Sequence, residues 1–96
     1  MRRVRVSQGV VEGLIHQAKP TYPSLAVQTH TQGNVVLHAI IGRDGAIVSL
    51  QVVSGHPLLA PAAIDAVCQW RYRPYTLNGE PVEVGTTVTV RFVLRN

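Results

Sequence analysis

The sequence is poor in the residue types that carry chemistry. Cys68 is the only cysteine in 96 residues, which excludes an internal disulfide framework and a cysteine-based zinc site. A nucleophilic thiol would also need an orienting group and an oxyanion site, and no spacing supplies either. Cys68 is therefore read as a semi-buried small hydrophobe. His16, His30, His38 and His56 are scattered, with no pair at i, i+3 or i, i+4, so no metal and no cofactor is expected. The five acids, Glu12, Asp44, Asp65, Glu80 and Glu83, fall on different loops and element ends. Asp44 is explained by its turn. No acid–base pair can be assembled, and the chain is not expected to be an enzyme.

Other scarcities narrow the class. Only 15% of residues are charged and only 5% are aromatic, while 46% are hydrophobic, and Lys19 is the single lysine. The net charge of +4 owes most to Arg2, Arg3 and Arg5, which read as a solvated arm rather than a basic face for nucleic acid. A small RNA-binding α+β domain stacks bases on strand aromatics, whereas here Phe92 is the only aromatic on an expected strand and has core parity. No apolar run approaches the roughly 20 residues of a membrane span. A soluble, unprocessed domain is expected, cut from a longer protein or standing alone. A chain of this length forms one domain and buries roughly 65% of its unfolded surface, leaving little room for a deep substrate cavity.

What is present is strong periodicity. Val84, Thr86, Val88, Val90, Phe92 and Leu94 share one parity and Gly85, Thr87, Thr89, Arg91 and Val93 the other, which predicts a strand over 84–94 with one buried face. Asn34–Ile41 and Ala46–Val53 are rich in Val, Ile and Leu and flank Gly42, Arg43, Asp44 and Gly45; they read as a hairpin. In its second arm Ala46, Val48, Leu50 and Val52 are expected to face the core. Leu59, Ala62, Ala63, Ala66, Val67 and Trp70 recur at helical spacing and predict an amphipathic helix. Pro57 and Pro61 are tolerated near its start, and Arg71 and Arg73 suit the negative end of its dipole. Asn78–Gly79 marks a turn before Pro81. In the first third, Val4–Val6 and Leu14–Ala18 read as short extended pieces. Pro20 and Pro23 bracket a rigid turn, and Ser24 is placed to cap a short helix through about Gln28.

Connection rules then order the sheet. A strand that returns through a helical crossover runs parallel to the second hairpin arm and can pair antiparallel to the first. The expected order is second arm, first arm, last strand, with the helix on one face. This leaves the last strand at an edge, a row of unpaired main-chain groups able to bind an extended peptide, unless the N-terminal segment covers it.

The ordered markers Lys19–Pro20–Thr21–Tyr22–Pro23, Gly33–Asn34–Val35–Val36–Leu37, Asp44–Gly45, Ser54–Gly55, Trp70–Arg71–Tyr72–Arg73–Pro74 and Gly79–Glu80–Pro81–Val82 resemble the C-terminal domain of the TonB family. The resemblance covers about Pro20 to Leu94. It implies a two-layer α+β fold: a three- to four-stranded antiparallel sheet with one long and one short helix packed on one face. The domain is expected over 20–96, after an N-terminal extended segment over 1–19. It further implies a periplasmic energy-transducing domain, tethered to the inner membrane by an anchor outside this chain and coupled there to an ExbB/ExbD-type motor. Such a domain captures the TonB box of outer-membrane receptors for nutrient import, the peptide adding a strand beside the last strand. The implied peptide-binding residues are Pro20, Tyr22, Pro23, Thr87, Val88, Thr89, Val90 and Arg91, with Trp70 and Phe92 as structural core.

Two features depart from that pattern. Ile64 and Cys68 project roughly opposite the core stripe of the helix, and the segment Arg2–Ala18 is more strand-like than a linker. Tyr22 is open between two roles, contact residue or anchor against the helix. Arg71 and Arg73 are assigned to the helix end. No nucleic-acid partner is expected, and a homodimer by strand exchange stays open beside a monomer. The alternative function is an accessory protein-interaction domain of a membrane-anchored envelope sensor, peptidase or scaffold.

Overall fold

Residues 3–5 and 14–94 are described by the computed structural model. The elements run β1 (Arg3–Arg5), β2 (Leu14–His16), α1 (Ser24–Gln28), β3 (Gly33–Ile41), β4 (Ile47–Ser54), α2 (Ala60–Val67), β5 (Arg71–Tyr72), β6 (Thr76–Leu77), β7 (Glu80–Pro81) and β8 (Glu83–Phe92). The main sheet has the order β1-β8-β3-β4, so the three-strand order expected from connectivity is present. Its fourth strand comes from the N-terminal segment and lies parallel to β8, which makes the sheet mixed rather than wholly antiparallel. Val6 lies outside the described residues.

Alternation explains β3 and β8. Val35, Leu37, Ala39 and Ile41 from β3 and Val84, Val88, Val90 and Phe92 from β8 are buried in a single cluster with Leu59, Ala63 and Val67. The expected parity of β8 holds from Thr86 to Phe92, with Thr87, Thr89 and Arg91 exposed, whereas Gly85, of the same parity as these, is buried. The strand ends at Phe92, short of Leu94, whose N–H instead donates to Oε1 of Gln32 at 2.8 Å.

The second hairpin arm departs from its expected pattern. Register shifts fall between the pairs Ile41↔Ile47 and Ile40↔Ser49, and again between Leu37↔Val52 and Val36↔Ser54. Each adds one residue to β4, and an extra residue breaks strict alternation. Ile47 and Leu50 therefore pack on the core. Val48 is thrown outward at 57% exposed, and Val52, at the open edge, is 39% exposed.

The turn between the arms is built as its residues predict. Asp44 Oδ1 accepts from Ala46 N at 3.1 Å, and Gly42 N donates to Ala46 O at 2.7 Å. Gly45 has φ +86°, and a Cβ there would collide with the carbonyl of Tyr72. Only glycine satisfies both demands, because Tyr72 N donates back to Gly45 O at 2.9 Å. The Asn78–Gly79 turn closes a further small hairpin, β6 to β7, with both central residues at positive φ (53° and 82°), the backbone that a two-residue hairpin loop favours.

The helix is shorter than its apolar stripe. α2 covers Ala60–Val67 with Pro61 in its first turn, while Leu59 and Trp70 extend the buried stripe beyond both ends. Ile64 packs partly against the core, whereas Cys68 is exposed rather than semi-buried, its thiol donating to Asp65 O at 3.1 Å. Around α1 the residue at the cap position is Pro23, not Ser24, and no side chain caps the helix. A proline there has no N–H of its own to satisfy.

Candidate functional site

The edge of the sheet at β8 and the Tyr–Pro turn meet through one aromatic pair. Pro20 and Pro23 stiffen the chain entering α1, which places the half-buried Tyr22 against the end of β8. Its ring meets Phe92 edge to face, with centroids 5.4 Å apart and planes at 88°, a favoured aromatic geometry. The phenol O–H of Tyr22 donates to the carbonyl of Thr31. Tyr22 is thus an anchor against the last strand and the loop after α1, a partner that local sequence could not show because Phe92 lies 70 positions away.

β8 itself is regular. Nine consecutive residue pairs join it to β3, from Gly33↔Phe92 to Ile41↔Val84, with no register shift. On its other side β1 pairs through Arg3↔Glu83, Val4↔Val84 and Arg5↔Gly85. Among the described residues nothing pairs with that outer side over Thr86–Phe92. This stretch contains all five expected edge residues: Thr87, Thr89 and Arg91 face away from the helices, and Val88 and Val90 face the core. The last two contribute main chain to the edge, not side chain.

Two concavities flank this region. One of about 460 Å³, lined by Gln32, Gly33, Asn34, Arg91, Phe92 and Val93, lies at the far end of β8. The other, about 320 Å³, runs between the Lys19–Pro23 turn and α2, where Pro20, Pro23 and Pro61 line it with Asp65 and Gln69. Neither is an enclosed cavity of the kind that buries most of a small metabolite.

The remaining sequence candidates have structural duties. Trp70 is 5% exposed, and its indole N–H donates to Ala18 O at 2.9 Å, which pins the segment before Pro20 to the body. Arg71 lies on β5, and its guanidinium donates to Cys68 O at 3.2 Å and to Trp70 O at 2.8 Å, completing carbonyls at the helix end. Arg73 is exposed, well past that helix end. Tyr72 was not singled out by sequence, yet it is buried, and loss of hydration raises its phenol above the ordinary value of 10.0. Among the described residues no group of three or more His, Cys, Asp or Glu could hold a metal ion.

Comparison with known proteins follows the same residues. The family model of the Gram-negative bacterial TonB protein C-terminal region matches residues 18–94. The TonB protein of Vibrio cholerae is 30% identical over 80 residues, covering 81% of this chain and 33% of that protein. The tonB2 protein of Pseudomonas aeruginosa is 32% identical over 85 residues, 85% of this chain and 31% of that protein. The chain thus spans about a third of the length of these relatives. Among solved structures, the Pseudomonas aeruginosa TonB C-terminal domain superposes with a TM-score of 0.77 over 95% of both chains at 23% identity, a likeness of fold. The TonB2 protein of Vibrio anguillarum gives 0.65 at 31% identity, over 88% of this chain and 83% of that one.

Proposed function

The chain belongs to the Gram-negative TonB C-terminal domain family, and from that premise we propose that it binds the TonB box of outer-membrane receptors by adding the peptide as a strand to the open edge of β8. In the full-length protein the domain lies in the periplasm, tethered to the inner membrane. It passes proton-motive energy from an ExbB/ExbD-type motor to the receptor during nutrient import. Its work is mechanical: it holds a peptide under load and catalyses nothing.

One observation carries this reading. The outer side of Thr86–Phe92 is an unbulged run of main-chain donors and acceptors, fixed from behind by seven register pairs with β3. Strand addition draws affinity from such groups, with side chains tuning specificity. The edge is also firmly backed, since Phe92 is buried and held by Tyr22. A pulling force along the peptide therefore meets the core rather than a mobile loop.

The test is a proline block. Outward and inward N–H groups alternate along an edge strand, so one of Thr89→Pro and Val90→Pro removes a peptide contact while the other breaks the sheet. The informative variant is the one that stays folded. A labelled TonB-box peptide titrated into wild type, followed by amide shifts, is expected to move signals along β8 and near Tyr22 with affinity of micromolar or weaker, about −8 kcal/mol at most. The folded proline variant is expected to bind more weakly. Shifts confined to another surface, or unchanged affinity in that variant, would exclude strand addition and favour the accessory-domain function.

A further inference from the structure

The edge assigned to the peptide already has a tenant at one end. β8 has ten residues, and β1 pairs with the first three of them, leaving seven from Thr86 to Phe92. The outer face of the sheet is closed at the same end: Ile40, the register partner of Gly85, is only 6% exposed, Gly85 is buried, and His38 Nε2 is shut off from solvent. Farther along, Thr87, Thr89 and Arg91 are exposed. Burial on this face therefore follows the row where β1 docks.

We propose that β1 is a built-in competitor for the edge of β8, so that the domain takes a short extended peptide freely but a longer one only by peeling Arg3–Arg5 away. This rests on the strand-addition reading above and adds a regulation to the same site. A three-residue strand at a sheet edge opens readily on its own, since only three register pairs hold it. Its return is favoured by tethering: eight residues separate Arg5 from Leu14, where β2 pairs with β5. A tether of that length supplies an effective concentration on the order of millimolar. That is enough to occupy a weak slot most of the time and too little to withstand a peptide that gains several more main-chain bonds. The apparent affinity of a long peptide is then reduced by the fraction of molecules in which β1 is undocked. Whatever moves the N-terminal arm, including tension on chain preceding it, would change how much edge the receptor finds.

The experiment compares two capped peptides carrying the same TonB-box core, one of seven residues and one extended by three residues at each end. The longer one reaches β1 whichever way it enters. Each is titrated into the wild-type chain and into a variant carrying Val4→Pro with Arg5→Pro, whose adjacent substitutions remove both an inward and an outward N–H from β1. The expected result is a roughly three- to tenfold gain in affinity for the long peptide in the variant, with the short peptide unchanged. In wild type, hydrogen exchange provides a second readout that needs no variant. The long peptide should accelerate exchange of the Arg3–Arg5 amides, and the short one should not. Equal affinities of the long peptide in both proteins, or β1 amides indifferent to it, would overturn the competitor while leaving strand addition intact. No shift along β8 with either peptide in either protein would instead overturn strand addition, and the competitor with it.

Discussion

The sheet offers two open edges, β4 and the part of β8 beyond β1, and they are built differently. β4 carries a register shift near each end, and Val48, Val52 and Val53 stand exposed along it at 57%, 39% and 63%. β8 runs in unbroken register with its neighbour, and its apolar residues are buried. Bulges twist a strand out of the plane a partner needs, a recognised means of discouraging edge pairing. Exposed valines thus mark the edge protected by geometry, while the polar, regular edge is the one open to a partner. Counting exposed hydrophobic residues would select β4, the side opposite the one proposed for the peptide.

The sharpest way to separate the edges energetically is truncation. Phe92→Ala removes a buried ring shared by the core and Tyr22 and is expected to cost roughly 3–5 kcal/mol in denaturant unfolding. Thr89→Ala on the outer face of β8 and Val53→Ala on β4 should each stay within about 0.5 kcal/mol. Equal losses at Phe92 and Thr89 would mean that the parity of β8 is wrong.

Gly45→Ala attacks the turn from which β4 departs. The positive φ and the collision with the Tyr72 carbonyl should together cost roughly 2–3 kcal/mol. The Tyr72 amide should then lose hydrogen-exchange protection, since its partner is Gly45 O.

Thr86 probes the reverse case on β8. It is 2% exposed, and its hydroxyl has no hydrogen-bond partner among the described residues. The isosteric Thr86→Val relieves an unsatisfied buried group and should raise stability by about 1 kcal/mol. A loss of stability would indicate that the hydroxyl is satisfied in solution.

Alkaline pH gives the smallest and most selective effect. The folded Tyr72 phenol holds its proton above 10.0 while the unfolded one releases it near that value, so the unfolded state binds fewer protons there and stability falls as pH rises past about 10. Tyr72→Phe should flatten that part of the stability curve. An unchanged slope would place the source in other groups.

How much of this was legible in the sequence depended on periodicity. β3, α2 and β8 announced themselves because each buries one face at a fixed repeat, and connection rules then ordered the strands. The bulges of β4 had no such mark: Ile47, Val48 and Leu50 are all apolar, so alternation named Val48 as core where the backbone places Ile47. Cys68 was misjudged because the helix ends at Val67, leaving its side chain past the last packed turn. The strand character of the N-terminal segment and the edge open to it were read from the sequence, but three residues are too few for alternation to fix the register of β1 on β8. The Tyr22–Phe92 contact joins distant parts of the chain, so the Tyr–Pro motif could suggest a site there but not its partner. The edge itself was legible only in part: the hairpin–helix–strand connection placed β8 beside β3 with its other side free, and β1 covers the first three residues of that side.

The central claim is that an extended peptide chooses β8 over β4. Amide hydrogen exchange with and without a saturating TonB-box peptide tests this most directly. New protection is expected at alternate amides within Thr86–Phe92, with none gained along Ile47–Ser54. Protection appearing on β4, or on neither strand while the peptide is bound, would contradict the account.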